Sequence, residues 1–291
     1  MFDVLIIGGS YAGLSAAMAL GRARRSVVVL DAHRPRNRFT PHAHNLLLHD
    51  GDAPADLAAR ARQQVAAYPT VQLLEAQATT AEELPDGTFA VATEAHGTFE
   101  ASRLLLATGM HDELPAVPGF AECWGKSVIH CPFCHGYEVA DQPTGIWNNG
   151  DEVLHHVKML LNWSRTLTVF TNDGPATFGP DVHELLKSNA IELVETPVME
   201  LLHTSGQLTG LRLADGRTQP LPVLYARLPA HQASPLPHQL GCEMTELQLI
   251  RIDESYQTTV AGHICRRRLL LGPAAASASH CGRQPSGRKF K

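Results

Sequence analysis

The chain has 291 residues, 44% of them hydrophobic, and a formal net charge of −5. That length suits one large or two ordinary domains with a sizeable core, and the negative balance argues against a general nucleic-acid binder. No apolar run approaches the length of a membrane span, and the first one is interrupted by Asp3 and leads into a glycine turn rather than a cleavage site, so a cytoplasmic protein is expected.

Phe2 to Ile7 is a short apolar run bounded by glycine and reads as a buried parallel strand. Gly8-Gly9-Ser10-Tyr11-Ala12-Gly13 follows, then an Ala-rich helical stretch to about Arg24, then a second strand from Ser26 to Leu30 that ends at Asp31. Gly8 permits the tight turn, and Gly13 lets helix and strand pack closely. Ser10 stands where a second glycine is usual and is small enough to let a diphosphate approach the helix N-terminus. Asp31 can accept from a ribose hydroxyl. A lone glycine motif is weak evidence; strand before, helix after and acid at this distance make a dinucleotide site. Gly8, Ser10, Tyr11, Ala12, Gly13 and Asp31 are its candidate residues.

Arg34 to Gly51 has no clean periodicity, carries Arg36, Arg38, His42, His44, Asn45 and His49, and reads as a long functional loop. A helix is expected over 53–67. Strands are expected over 71–79 and 88–94, with Pro85-Asp86-Gly87 as the turn between them. A further strand over 103–106 runs into Ala107-Thr108-Gly109, and Pro115, Pro118 and Gly119 mark a linker. A second strand–turn–helix unit begins at Thr144 to Trp147, with a helix over 152–163, strands over 167–171 and 191–196, and a helix over 181–188. Leu208 to Leu213 and Leu221 to Ala226 are expected to form a sheet over the top. This second nucleotide-type unit has a damaged turn: of the expected glycines only Gly150 is present, with Asn148 and Val153 in place of others. Thr171-Asn172-Asp173 offers no basic cluster for a 2′-phosphate.

Between the two units lies His130-Cys131-Pro132-Phe133-Cys134-His135-Gly136-Tyr137-Glu138. Two cysteines at this spacing can close a reactive disulfide whose thiolate is stabilised by its surroundings, and the flanking histidines can exchange a proton near neutral pH. The competing readings are half of a zinc site or a chance pair. Zinc needs four ligands, and Cys123, Cys242, Cys265 and Cys281 form no second pair, so no metal is expected.

The order of glycine turn, Ala-Thr-Gly, CxxC, second nucleotide unit and return resembles the low-molecular-weight thioredoxin reductases over roughly residues 1–262. The string His-Cys-Pro-Phe-Cys-His-Gly-Tyr-Glu is similar to one branch of that family, the dithiol oxidases of gliotoxin and holomycin biosynthesis; ordinary thioredoxin reductases carry Asp where His135 stands. The resemblance implies an α/β protein of two Rossmann-like domains. An FAD-binding domain would comprise 1–114 plus 228–291, with an NAD(P)-binding-like domain of 115–227, bearing the CxxC, inserted into it. It implies FAD as cofactor, Cys134 as the flavin-proximal thiol, Cys131 as the exchanging one, His135 as the proton-transfer group and Asn45 near the flavin ring. Arg38 and Ala107, Thr108 and Gly109 join the expected cofactor-binding set. A homodimer is implied as well.

The chain departs from the family after Gly262, where members continue with something like Gly-Ile-Tyr-Ala-Ala-Gly-Asp. One inserted nucleotide turns a coding string for Gly-Ile-Tyr-Ala-Ala-Gly-Asp-Cys-Cys into one for Gly-His-Ile-Cys-Arg-Arg-Arg-Leu-Leu, which is the sequence from Gly262 to Leu270. A frameshifted tail from about His263 to Lys291 is therefore expected, and its many basic residues carry no nucleic-acid reading.

The function expected is that of an FAD-dependent thiol–disulfide oxidoreductase. It would act on a small dithiol or disulfide, or on a separate thioredoxin-like protein, without nucleic acid or membrane. The damaged turn counts against NADPH and towards oxygen or a donor such as ferredoxin. An NADPH-dependent disulfide reductase is the first alternative, and a flavin-poor pseudoenzyme or redox sensor the second.

Overall fold

A computed structural model of the protein describes residues 1–172, 174–260 and 262–265. Strand β1 (Phe2–Ile7) has fully buried Leu5 and Ile6 at its centre. It is flanked in parallel by β2 (Val27–Asp31) and by the C-terminal half of β6 (Thr98–Leu106). Helices α1 (Tyr11–Arg22) and α2 (Pro54–Ala66) precede β2 and β3 (Val71–Glu75) respectively, the latter extending the parallel edge. On the other side β4 (Ala78–Glu83) and β5 (Phe89–Thr93) add antiparallel strands, giving the order β3-β2-β1-β6-β5-β4. The Val27–Asp31 strand is buried throughout, as a central strand covered on both faces requires. Each such Val or Leu contributes about 1.5–3 kcal/mol on removal from water.

The chain then forms β7 (Met110–Asp112), α3 (Phe120–Cys123), β8 (Val128–Ile129) and the one-turn helix α4 (Pro132–His135). A second sheet follows: β9 (Thr144–Trp147), α5 (Glu152–Leu160), β10 (Leu167–Phe170), α6 (Pro180–Ser188) and β11 (Glu192–Val194). Three antiparallel strands come next, β12 (Val198–Thr204), β13 (Gln207–Leu213) and β14 (Thr218–Pro220), before β15 (Val223–Ala226) re-enters the second sheet. That sheet has the order β11-β10-β9-β15-β8, all parallel. One face packs on α5 and α6 through Ile146, Val157, Leu160, Val169, Val182 and Leu186. The other face packs under the three-stranded sheet through Phe120, Trp147, Phe170, Leu211 and Leu224.

Beyond β15 the chain makes β16 (Ala230–Gln232), antiparallel to β7, and α7 (Leu236–Gln239). Leu236, Cys242 and Ile250 then pack into the core of the first sheet beside Phe89 and Leu104. β17 (His263–Cys265) lies parallel to Leu104–Leu106 of β6. The remainder of the tail to which the frameshift reading applies, Arg266 to Lys291, lies outside the described residues, as does Asp173 of the expected Thr171-Asn172-Asp173 turn. No helix among the described residues is long and apolar enough to cross a membrane.

Two sequence expectations need correction. The strand expected over 71–79 is two strands at opposite edges of the first sheet, broken at Ala76 and Gln77. Neither residue is a turn former, so the pattern carried no mark of the break. The expected pairing of Leu208–Leu213 with Leu221–Ala226 does not form. β13 alternates buried and exposed residues except at Gly210 and Leu211, both buried, close to the pattern of a strand with one wet face. β15 is buried at all four positions and sits inside the parallel sheet, between β9 and β8.

Candidate active site

The glycine turn is built by close backbone approach. A Cβ on Gly8, whose φ is +104°, would fall 2.3 Å from the Ala107 carbonyl oxygen, and one on Gly13 would fall 1.8 Å from the carbonyl oxygen of Gly8. The turn is therefore wedged between the end of β6 and the first turn of α1, and the expected Gly8, Gly13, Ala107 and Thr108 come together as a unit. Ser10 is the N-cap of α1 in an extended conformation, and its side chain makes no capping bond. The first N–H groups of this twelve-residue helix thus face outward at a cradle that any side chain on Gly8 or Gly13 would fill, which suits a diphosphate. Ala12 lines the same turn, half-buried, and Tyr11 is 42% exposed.

Asp31 ends β2 beside this turn: a Cβ on Gly9 would lie 2.8 Å from its Cβ. Its carboxylate is ion-paired with Arg62 of α2, and His33 Nε2 lies 3.7 Å away. Arg62 also donates to the Gly9 carbonyl at 3.2 Å, so it ties α2 to both the acid and the turn. Arg62 was not anticipated from the sequence, since an Arg inside an amphipathic helix reads as surface. Gly109 follows with φ +77° and open space beside it.

Of the other expected residues, Arg38 donates to the Pro35 carbonyl at 3.1 Å and lies 4.2 Å over the Phe39 ring. Asn45 is exposed, in a left-handed conformation, with its N–H donating to Asp50 Oδ1 at 2.7 Å. Arg36 pairs through both guanidinium arms with Asp112, which is 8% exposed, and so pins the long loop to β7.

The CxxC forms a closed turn. Cys131 is the residue before α4, Cys134 lies within it, their Cα atoms are 5.3 Å apart, and the two sulfurs are joined as a disulfide. The Cys134 N–H donates to the Cys131 carbonyl at 3.1 Å. Gly136 follows because the α4 backbone and Trp163 leave no room: a Cβ there would fall 2.5 Å from the Pro132 carbonyl oxygen and 2.9 Å from the indole, and Trp163 also packs edge-on against Phe133 at 5.4 Å. Both cysteines are partly exposed. His135 is half-buried; burial holds its imidazole below the ordinary histidine range, opposed by the negative charge of Glu138 and aided by His44. The neutral imidazole is a base ready to accept a proton.

The second sheet reverses its strand order between β9 and β15, the place where nucleotides dock in such sheets. Here the crevice is bridged by the chain's own side chains. Glu152, at the start of α5, meets Arg227, just beyond β15, at 2.5 Å, and Asn148, just beyond β9, lies 3.1 Å from His156 Nδ1. A small cavity beside these bridges is lined by His130, Pro132, His156, Tyr225 and Arg227. The Tyr225 hydroxyl is buried without a hydrogen-bond partner among the described residues, and burial, with Glu138 adding, pushes its ionisation upward. Where a basic cluster would meet a 2′-phosphate, Thr171 donates to the Gly174 carbonyl at 2.5 Å and Asn172 accepts from the Val198 N–H at 2.8 Å.

Residues 2–159 match the family model described as pyridine nucleotide-disulphide oxidoreductase. The chain belongs to that family. It is 34% identical over 255 residues to a protein named thioredoxin reductase aclD from Aspergillus oryzae, covering 84% of this chain and 80% of the relative. A putative thioredoxin reductase, TrxB from Bacillus anthracis, superposes with a TM-score of 0.86 at 30% identity, over 91% of this chain and 88% of the other. The crystal structure of HlmI superposes with a TM-score of 0.84 at 32% identity, over 94% and 90%. This family member is an FAD-dependent thiol–disulfide oxidoreductase with Cys131 and Cys134 as its redox pair. The cradle formed by Gly8, Gly13, the N-terminus of α1 and Asp31 fits the cofactor.

Proposed function

We propose that the chain is a dithiol oxidase of this family, with oxygen rather than NADPH as the far electron partner. The observation that carries the reading is the bridged crevice of the second sheet. Glu152–Arg227 and Asn148–His156 lie across the crevice at the switch point, beside a glycine turn reduced to Gly150, which supports a crevice not kept open for a nicotinamide nucleotide. Gly8, Ser10, Tyr11, Ala12, Gly13, Asp31, Arg38, Asn45, Ala107, Thr108 and Gly109 are assigned to FAD binding in this reading.

The chemistry at the CxxC is thiol–disulfide exchange. His135 takes the proton of a substrate thiol. The substrate sulfur bonds to Cys131 Sγ, and the Cys131–Cys134 bond breaks with its electron pair passing to Cys134 Sγ. The second substrate thiol, losing its proton, then displaces Cys131 and closes the substrate disulfide. Two electrons have moved from substrate to the cysteine pair; one substrate proton rests on His135, and the other passes to the Cys131 sulfur released in the second step. Bound FAD supplies the two-electron acceptor that restores the disulfide, with oxygen reduced to hydrogen peroxide at the end. The substrate is a small dithiol or a separate thioredoxin-like protein. The proposal includes a homodimer, a cytoplasmic location and a division into 1–114 plus 228–291 and 115–227.

Anaerobic stopped-flow mixing decides between electron partners. A small dithiol should bleach the bound flavin within the time of turnover, whereas NADPH should not, and dithiol with oxygen should yield one peroxide per disulfide. Rapid bleaching by NADPH would overturn the oxidase reading.

A further inference from the structure

The long loop before α2 closes on itself. The Ala43 N–H donates to the Asp52 carbonyl and the Gly51 N–H to the Ala43 carbonyl, both at 2.8 Å, and His42 Nδ1 lies 3.0 Å from the Gly51 carbonyl. Asp50 is fixed within it by the Asn45 N–H. The closed loop presents His44, whose side chain is only 19% exposed, to the segment that follows the CxxC. His44 Nδ1 stands 3.4 Å from Glu138 Oε1 and 3.7 Å from Asp50 Oδ1, shared between two carboxylates. Glu138 lies three residues beyond His135. An ion pair between exposed side chains would be worth little; this contact is half-covered, joins the two halves of the molecule, and one of its partners follows the base of the exchange reaction in the same short segment.

We propose that Glu138 and His44 are positioning residues for His135, setting the charge around its ring so that it can hold the proton taken from a substrate thiol. The inference rests on the reading of His135 as that base. When the substrate sulfur bonds to Cys131 Sγ and the electron pair of the broken disulfide goes to Cys134 Sγ, the thiol's proton resides on His135 as an imidazolium. The Glu138 carboxylate favours that cation and His44 opposes it. The charges that act on His135 are these two, Glu138 from its own segment and His44 from the loop. Behind them stand Asp50, across His44, and the Tyr225 hydroxyl, which senses the charge of Glu138. Because His44 comes from the loop and Glu138 from the CxxC segment, the base is tuned only when the two halves meet.

The two residues act on His135 with opposite signs, and the test uses that. The FAD-loaded protein and its E138Q, E138D, H44Q and H135N variants are compared in two measurements. One is the pH dependence of kcat for oxidation of dithiothreitol. The other is titration of the His135 ring by NMR on protein carrying labelled histidine, the resonance being assigned by its loss in H135N. In E138Q the acid limb of the profile and the ring titration should both move to lower pH, with a smaller loss of rate than the ~100-fold or more expected for loss of the base itself. In H44Q both should move to higher pH, and E138D should restore the parent profile. Movement of both variants in one direction, or of neither, while H135N flattens the acid limb, overturns the positioning role and leaves His135 as the base. An acid limb that persists in H135N overturns the base and this inference with it. Should E138Q fail to hold FAD, H44Q and E138D carry the comparison: an unmoved limb in H44Q overturns the proposal, and an upward shift in H44Q with the parent limb in E138D sustains it.

Discussion

Gly13 of α1 faces the carbonyl of Gly8 so closely that a Cβ on Gly13 would stand 1.8 Å from that oxygen. No rotamer relieves such a clash, because the neighbour is backbone. Gly13→Ala should therefore push α1 off β1 and open the turn. Overpacking of this kind costs about 1–3 kcal/mol or more. The expected result is a lower Tm and a reduced ratio of flavin to protein absorbance. Gly97→Ala is the control: Gly97 has φ +72° but open space around it, so left-handed strain of about 1–2 kcal/mol should lower Tm with flavin content unchanged.

Asp31 has two tasks in the proposed site, as partner of Arg62 and as acceptor for the adenosine ribose of FAD. Asp31→Ala removes both and leaves Arg62, itself partly desolvated, without its carboxylate. FAD should dissociate on dilution or gel filtration where the parent protein retains it. The number of thiols titrated after reduction should stay the same, since the CxxC lies in the other half of the molecule. Unchanged FAD retention would remove Asp31 from the cofactor site.

Much of this arrangement was legible in the sequence because it is local. Strand, glycine turn, helix and acid follow one another within residues 2–31, and the CxxC with His135 is a single string. What the sequence hid is what spans long separations. Asp31 with Arg62, His44 with Glu138 and Glu152 with Arg227 are contacts that exist only once the sheets are assembled, and Asn148 meets His156, eight residues on, only once the turn from β9 to α5 has its shape. The pairs around the second crevice show the difference. The loss of its glycines could be read from the string Asn148 to Val153, but not what fills the space. The mispairing expected for Leu221–Ala226 has the same origin, since a short apolar run such as Val223–Ala226 fits a sheet edge or a sheet centre equally well until its neighbours are known.

His135 and His156 both titrate below the ordinary histidine value of 6.5, each first because of burial; the Arg227 charge adds to this at His156. Their unfolded-state values are the ordinary ones. Between the two, the unfolded chain binds more protons than the folded one, so stability falls as pH drops from about 6.5 towards the folded values and is level above about pH 7.5. Urea melts at closely spaced pH values from 8 to 5 should show that decline. His156→Asn should reduce its slope, and the thiol chemistry at the CxxC should be unaffected. A decline of unchanged slope would mean that His156 charges freely in the folded protein.

The two sulfurs of the CxxC are proposed to divide their work, Cys131 exchanging with substrate and Cys134 facing the flavin. Both are partly exposed in the disulfide form, so exposure alone does not distinguish them. Substitution does. Cys131→Ser leaves Cys134 as a free thiol; if it lies against oxidised flavin, its thiolate should give a long-wavelength absorbance band that fades on acidification as the thiolate takes a proton. Cys134→Ser should lack the band, and its Cys131 should trap an asymmetric disulfide such as 5,5′-dithiobis(2-nitrobenzoate) as a stable mixed disulfide, because no neighbouring thiol remains to release it. A band in Cys134→Ser and not in Cys131→Ser would reverse the assignment. A band in neither would place both sulfurs out of reach of the ring in the resting arrangement, so that electron passage would require the CxxC-bearing half to rotate against the FAD half. The contact of His44 with Glu138 joins those halves, and its rupture in H44Q should then speed the return of electrons from the reduced cysteines to the flavin.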